Sequence, residues 1–576
     1  MPGINIFICP PGERDTLESR LQVSLARYRE LFPWLEWSLE RPAEGVLLCL
    51  SGHETQKIRK TERGQWNCYL EWEGCTAPGW ERWLDDPEDD RKLWQNLASE
   101  LPGAFFAAAV RRDSGELVFA NDALARLPVY SLRRGKWLCL GRDVGLLLDS
   151  AEALTPDPAY LALNLTFGYV PGRGSWLREL DTLAGGTLGR RNAADGSWKE
   201  SADASLRFIA PRSGGKKEER LREAADVFCA ACLRLYAATD AVLGLSGGYD
   251  SRAILAALLS KGAKPRTVTY RDAENTAGQD LGVVAEISSK FDLKHQTITL
   301  QQEDRPQFEK LFWLKRGHNY LGVSFLLLWL EMLRESGETR LITGDGGDKL
   351  LPSLLPETAL LSERQFLNYL FARNAILAPG EAARLTGVTV GELEEWILTL
   401  VKRYPARDWN ERYKQFLLAE RGGRWLFEGE DRNRYFCESR TPFYDPEFYS
   451  LALEVPEAWK RDNLFYRQFL KLLHPELARI RTAGSLLAPS HWAYGAWSAT
   501  RQALRKMTWL KRLRPKPGLP SRGWINGRIE SLAAKEAVMA AMPGADSLRQ
   551  EGYLAGLNRL QLNQLYTILA ALNGEV

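Results

Sequence analysis

No apolar run among the 576 residues is long enough to cross a bilayer; Phe325–Leu330 is short and is stopped by Glu331. The opening M-P-G-I-N-I-F-I lacks the basic lead and small-residue cleavage site of a secretion signal, so a cytoplasmic protein without a membrane partner is expected. An excess of one charge is missing too. The chain has 76 Lys and Arg against 73 Asp and Glu, a net charge of +3, which does not announce a nucleic-acid binder. Its one C-x-x-C, Cys229 and Cys232, has no second pair to complete a zinc site. It lies in A-A-D-V-F-C-A-A-C-L-R-L, whose apolar spacing is helical, so two buried core thiols are expected. No internal repeat is visible, and the 20 tryptophans are spread too widely to form a stacking platform. The one basic run, R-K-M-T-W-L-K-R-L-R-P-K-P at 505–517, reads first as a solvated face and second as a groove for an acidic peptide or nucleic acid.

What is present is ordinary for a soluble globular chain: 45% hydrophobic and 26% charged residues, over a length that predicts several domains. Residues 1–205 carry short strand-like runs, G-V-L-L-C-L, A-F-F-A-A-A-V, L-V-F-A and W-L-C-L, broken by Gly, Pro and Asn-Asp. They predict a mostly β sandwich or a layered α/β domain. Pro211–Lys217 reads as a linker. From 218 to 576 the texture changes. Strands are predicted at Ala241–Leu245, Thr267–Tyr270, Gln296–Leu300 and Leu341–Thr343, with a helix over Gly282–Phe291 and nearly all helix after 355. This alternation predicts a doubly wound parallel sheet with ligands at the carboxyl ends of its strands.

The most telling stretch is Val242–Arg252, V-L-G-L-S-G-G-Y-D-S-R. A buried strand stops at Ser246-Gly247-Gly248, and a helix starts at Asp250-Ser251. Two residues without Cβ let backbone N–H groups approach a phosphate, and the helix start adds partial positive charge. Asp250 would repel a bare phosphate but suits Mg²⁺ held beside one. No Lys follows the second Gly, which excludes the Walker loop. S-G-G-x-D-S after a strand resembles the pyrophosphate loop of the ATP pyrophosphatases, which implies ATP split into AMP and pyrophosphate. A second turn, I-T-G-D-G-G-D at Ile342–Asp348, also ends a predicted strand with acid among glycines. If the two strand ends are neighbours, Asp250 and Asp348 can share Mg²⁺, which favours a few carboxylates plus phosphate oxygens and water.

The pair S-G-G-Y-D-S and G-D-G-G-D resembles the synthetase part of class B asparagine synthetase, whose relatives include β-lactam synthetase and the lasso-peptide cyclases. The resemblance extends over most of the chain. G-A-F-F-A-A-A-V-R-R-D, A-N-D-A-L-A-R-L-P-V-Y and L-C-L-G-R-D-V-G-L-L-L look like that family's glutaminase-type domain in degenerate form, which implies an Ntn-glutaminase-like α/β sandwich before the pyrophosphatase sheet. F-G-Y-V-P-G at 167–172 and L-A-G-G-T-L at 183–188 look like the join. C-E-S-R-T-P-F-Y-D at 437–445 is similar to the E-x-R-x-P-F-x-D element that frames the acceptor site. The resemblance implies ATP and Mg²⁺ as cofactors. It puts Ser246, Gly247, Gly248 and Ser251 around pyrophosphate, Asp250 and Asp348 on metal, and Gly344 and Gly346 in the second loop. Leu245 and Tyr270, at the first two strand ends, are expected against adenosine. Asp345 is expected near the α-phosphate or the substrate, and Asp345 or Glu438 to orient or deprotonate the amine.

Two departures shape the expected activity. The resemblance calls for a cysteine after the initiator Met, and Pro2 stands there, so glutamine hydrolysis is not expected. It also calls for a lysine in the segment matching I-R-T-A-G-S-L-L, which offers Arg481 instead. Arg252 is a second candidate cation near phosphate.

The expected protein is an amide-forming ligase. It adenylates a substrate carboxylate and passes it to an amine, as a tailoring amidation or a lactam or macrolactam closure of the lasso-peptide type. Its partners are the carboxylate and the amine. A precursor peptide, a partner protein and a homodimer are open. The alternatives are an asparagine synthetase-type enzyme using ammonia or an external donor, a tRNA-modifying adenylating enzyme, and an inactive binding or scaffold homologue.

Overall fold

The computed structural model describes residues 3–10, 12–55, 58–74, 80, 94–95, 97–98, 100–134, 137–151, 154–202, 209, 214–271, 278–300, 305–495, 497, 500 and 523–575. Pro2, residues 211–213 of the linker and the basic run at 505–517 lie outside them.

Two six-stranded antiparallel sheets form the first part. In spatial order one is Leu180–Thr182, Tyr130–Arg134, Trp137–Gly141, Ile4–Ile8, Val46–Gly52, Glu36–Ala43. The other is Trp198–Ala202, Thr187–Arg191, Leu117–Asn121, Phe105–Arg111, Trp66–Trp72, Arg59–Arg63. Strand period sends alternate side chains to opposite faces. Ile4, Ile6, Ile8, Leu48 and Leu50 meet Phe106, Ala108, Val110 and Phe119 between the sheets. Phe7, Cys49 and Cys139 point the other way, onto the helix Arg14–Leu31. Covering on both faces explains why Ile4–Ile8 and Val46–Gly52 are buried throughout. All four apolar runs read from the sequence are strands of this sandwich.

The second part is a five-stranded parallel sheet: β1 (Val242–Gly244), β2 (Thr267–Arg271), β3 (His295–Thr299), β4 (Arg340–Ile342) and β5 (Glu438–Arg440), in the order β3-β2-β1-β4-β5. Val242 and Leu341 pack toward one face, Leu243 and Ile342 toward the other. Helices α1 (Lys217–Thr239), α2 (Asp250–Ser260) and α3 (Gly278–Lys290) supply the core on the second face. α4 (Phe325–Glu335) packs with the first. The strand order reverses between β1 and β4, where a doubly wound sheet opens a crevice beyond its carboxyl ends. The nearly all-helical reading after 355 missed β5, which is only three residues long and follows the helix α5 (Phe427–Asn433). A ten-residue π-helix, Leu417–Leu426, precedes α5, and α6 (Leu464–Leu473) comes later. Cys229 and Cys232 are buried, unpaired thiols on α1, as expected. Among the described residues no helix is long and apolar enough to cross a membrane.

Buried ions tie the two parts together. Arg126 bridges Glu73 at 2.9 Å and Glu430 at 3.0 Å, and Arg434 reaches Glu73 at 2.5 Å. Arg142 pairs with Glu71 at 3.1 Å and also with Asp431; all three side chains are fully enclosed. Lys315 holds Asp431 at 2.5 Å and Glu428 at 2.9 Å. Thus α5 sets Glu430 and Asp431 against Arg126 and Arg142 of the sandwich and Glu428 against its Tyr130. Charges this deep persist only with close partners.

Candidate active site

Both glycine loops leave the sheet at its switch point, and they touch. A Cβ placed on Gly347 would lie 2.6 Å from Asp250 Oδ1, and one on Gly344 would lie 2.8 Å from the Ser251 backbone N. Gly346 has φ +97°, the left-handed conformation that glycine adopts without penalty, and it starts the short helix Gly347–Leu350. Only glycines fit where the second loop passes Asp250.

The first loop is built from its own hydroxyls. Ser251 Oγ accepts from the Ser246 N–H at 2.9 Å and lies 3.0 Å from Ser246 Oγ, which accepts from the Gly248 N–H at 3.3 Å. The Gly247 N–H donates to Asp280 Oδ1 on α3 at 2.8 Å. A carboxylate oxygen therefore already occupies the kind of position a phosphate oxygen would take. Arg252 does not face this space. It is fully buried, and its guanidinium donates to the carbonyls of Ile480 at 2.6 Å, Arg481 at 3.0 Å and Gly247 at 3.2 Å. Burial pushes it down to about 10. It is a pin that fixes the loop to residues 480–483, whose Ala483 N–H returns a bond to Gly247 O at 3.0 Å. The reading of Arg252 as a phosphate cation is corrected accordingly.

Three aspartates converge. Tyr466 on α6 donates to Asp250 Oδ1 at 2.6 Å. Burial pushes Asp250 up to about 7; Asp348 and Asp345 push the same way, while the Tyr466 hydroxyl and Lys349 oppose them. Asp345 is also raised, mainly by burial, and accepts from Thr343 Oγ1 at 2.9 Å. Asp348 is exposed and contacts Lys349, a cation the sequence reading passed over. Among the described residues no group of three His, Cys, Asp or Glu side chains could hold a metal alone. Asp250 and the exposed Asp348, one from each loop, fit Mg²⁺ that completes its shell with phosphate oxygens and water.

Beside the loops lies a cavity of about 330 Å³. Leu245, Ser246, Tyr270, Gly344 and Asp345 line it, which brings the expected adenosine contacts and the second loop to one space. Tyr270 packs its ring 5.7 Å from Phe325 and 5.8 Å from Trp329, both tilted against it, in an aromatic cluster at the cavity. Asn319, Trp425, Glu430 and Arg432 complete the lining from elements that carried no motif. Arg432 is buried in that wall, pushed down to about 10 by burial and held up only by Asp345, and donates to Asn319 Oδ1 at 3.1 Å.

Glu438 and Arg481 are not brought to this cavity. Glu438 starts β5 opposite Arg340, paired with Arg340 at 3.2 Å and with Arg440, so it is clamped at the amino end of the strand. Arg481 has an exposed side chain and engages the site through its backbone carbonyl.

Residues 226–421, which contain both loops, match the family model for asparagine synthase. This part of the chain is similar to the asparagine synthase family. The match is narrower than the resemblance read from the motifs, and the asparagine synthase model stops before the π-helix ends. No curated protein sequence is matched. Among solved structures, NMN synthetase from Francisella tularensis is similar at 16% identity and TM-score 0.21, over 37% of this chain and 98% of that one. The glutamine phosphoribosylpyrophosphate amidotransferase from B. subtilis, complexed with ADP and GMP, is similar at 9% identity and TM-score 0.23, over 51% and 65%. An allosteric regulatory enzyme of purine biosynthesis is similar at 10% identity and TM-score 0.24, over 52% and 80%.

Proposed function

We propose that the protein is an ATP-dependent ligase that forms a carbon–nitrogen bond and releases AMP and pyrophosphate. The observation that carries this reading is the contact of the two loops at Asp250, within a segment that matches the asparagine synthase family. Two acids of the loops, Asp250 and Asp348, would hold Mg²⁺. The ion would supply charge neutralisation for the phosphates of ATP. The N–H groups of Ser246, Gly247 and Gly248 would receive the β- and γ-phosphate oxygens, with the Asp280 carboxylate giving way. Adenine would lie against Tyr270 and Leu245.

A substrate carboxylate then attacks the α-phosphorus. The bond to the bridging oxygen breaks, pyrophosphate leaves, and an acyl-adenylate remains. An amine attacks the acyl carbon, AMP departs, and the amine gives up one proton. Asp345 is placed to receive that proton, because it lines the cavity and its raised pKa makes it a stronger base than an ordinary aspartate. The buried guanidinium of Arg432 in the same wall suits the charge that builds on the phosphate. We assign residues 1–205 to a supporting unit and 218–576 to the adenylating unit. The amine comes from the substrate itself, as in lactam or macrolactam closure, or from a second molecule.

The test is incubation with ATP, Mg²⁺ and panels of carboxylates and amines, with AMP and pyrophosphate measured. The wild type should release both in equal amounts and Asp250→Asn should release neither. AMP absent under every condition, together with ATP binding unaffected by Asp250→Asn, would sink the ligase reading.

A further inference from the structure

A second cavity, about 740 Å³, opens on the other side of the Asp348 loop. Its lining is lopsided in charge. Among the described residues Lys349, Arg373, Arg421, Lys460 and Arg461 face it, against only Glu357 and Asp462. Glu357 is committed to Arg373 at 3.9 Å. Lys349, next to Asp348, is the shared wall with the loop region. The π-helix is the shared wall with the 330 Å³ cavity: Leu417 and Arg421 face the basic space, Trp425 and Leu426 the other. A π-helix is rare and tends to mark functional sites.

Lys460 is the unusual member. Its side chain is only 1% exposed, and among the described residues the one carboxylate within ion-pair range, Glu457 Oε1 at 3.9 Å, already receives Lys414 at 2.6 Å. Burial pushes Lys460 down to about 7, with Glu457 opposing and Lys414 adding to the fall. A buried ammonium with half a partner is costly, and an anion entering the cavity removes that cost. The next turn is strained: Asp462 and Asn463 both sit at left-handed φ, +52° and +56°, which non-glycine residues adopt rarely. That kink swings Arg461 to the rim while Lys460 stays inside.

We propose that this basic cavity binds an anionic group of the substrate other than the carboxyl that is activated, so that the substrate is a polycarboxylate. The inference rests on the ligase reading for the word substrate, but the anion site itself does not. Charge complementarity selects such a substrate over a monocarboxylate, because each further acid would meet another of the five cations that line the cavity.

The experiment is titration calorimetry on the full chain without ATP or Mg²⁺, using citrate and, separately, inorganic pyrophosphate. Citrate should bind, and both Arg373→Gln/Arg461→Gln and Lys460→Met should weaken it by about tenfold or more. The paired rim substitutions keep the interior packing, so their thermal unfolding should match the wild type even if the buried variant is unstable. Citrate binding unchanged by the rim variant, or absent from the wild type, overturns the proposal. Pyrophosphate weakened by the rim variant while citrate does not bind also overturns it and makes the cavity a product exit. Asp250→Asn should leave citrate affinity intact. Citrate binding with no AMP formed by any mixture would retain the anion site and discard the ligase.

Discussion

Tyr466 gives its hydroxyl hydrogen to Asp250 Oδ1 at 2.6 Å, joining α6 to the first loop across 216 residues of chain. The bond holds Asp250 Oδ1 at the contact between the two loops, beside Gly347. Tyr466→Phe keeps the ring and removes the donor. The expected result is a fall of roughly tenfold or more in pyrophosphate release, since a hydrogen bond to a charged group is worth about 1.5–3 kcal/mol. A coupled pyrophosphate assay reads it, and rates equal to the wild type would show that the hydroxyl orients nothing.

Gly347 is the tightest point between the loops. Gly347→Ala puts a methyl 2.6 Å from Asp250 Oδ1 and 2.8 Å from Phe443 Cζ. Neither neighbour can retreat cheaply, so MgATP affinity should drop while the secondary structure persists. Equilibrium binding of MgATP followed alongside circular dichroism checks both halves of the claim.

Arg252→Met should destabilise the fold and blunt the chemistry together. It strands two carbonyls, of Ile480 and Arg481, and leaves Gly247 O with the Ala483 N–H as its donor. Buried polar groups left without partners cost about 1–3 kcal/mol each. A lowered unfolding midpoint in urea with slower pyrophosphate release is expected. A variant as stable as the wild type argues that the 480–483 segment is held by something else.

Much of this was legible in the sequence because it is local. The strand, the glycines and the helix start of Val242–Arg252 all lie within eleven residues, and the second loop repeats the device. The sandwich strands were legible because burial on both faces leaves short unbroken apolar runs. What was not legible depends on distance along the chain. Tyr466, Asp280 and Arg432 reach the site from separate helices, and no spacing rule links them to Ser246. Arg252 misled for the opposite reason: its position next to the loop suggested phosphate, whereas the first turn of α2 aims it inward. Glu438 misled through its motif, because β5 runs parallel to β4 and puts Glu438 at the end opposite the loops.

Glu73 gives the buried ion network a pH signature. Burial alone would raise its carboxyl, but Arg126 and Arg434 hold it at about 2 against an ordinary 4.5. A depressed acid stabilises the fold fully above 4.5, and that contribution fades as pH falls toward 2. Glu73→Gln leaves Arg126 and Arg434 short of a charge and should cost about 3–5 kcal/mol at pH 7. The gap from the wild type should narrow below pH 4.5, as the acid in the wild type also becomes neutral. Urea melts at pH 7 and pH 3 supply the comparison.

The carboxylates of α5 also bear on inheritance. Glu428 and Asp431 face a tyrosine and an arginine of the sandwich, Arg432 and Asn433 line the cavity, and Glu430 does both, meeting Arg126 while it lines the cavity. A gene that lost the sandwich would take from these three acids their partners Tyr130, Arg126 and Arg142, one helical turn from the chemistry. The first half can therefore shed any reaction of its own and still be retained by selection, as the foundation on which the second half keeps its shape.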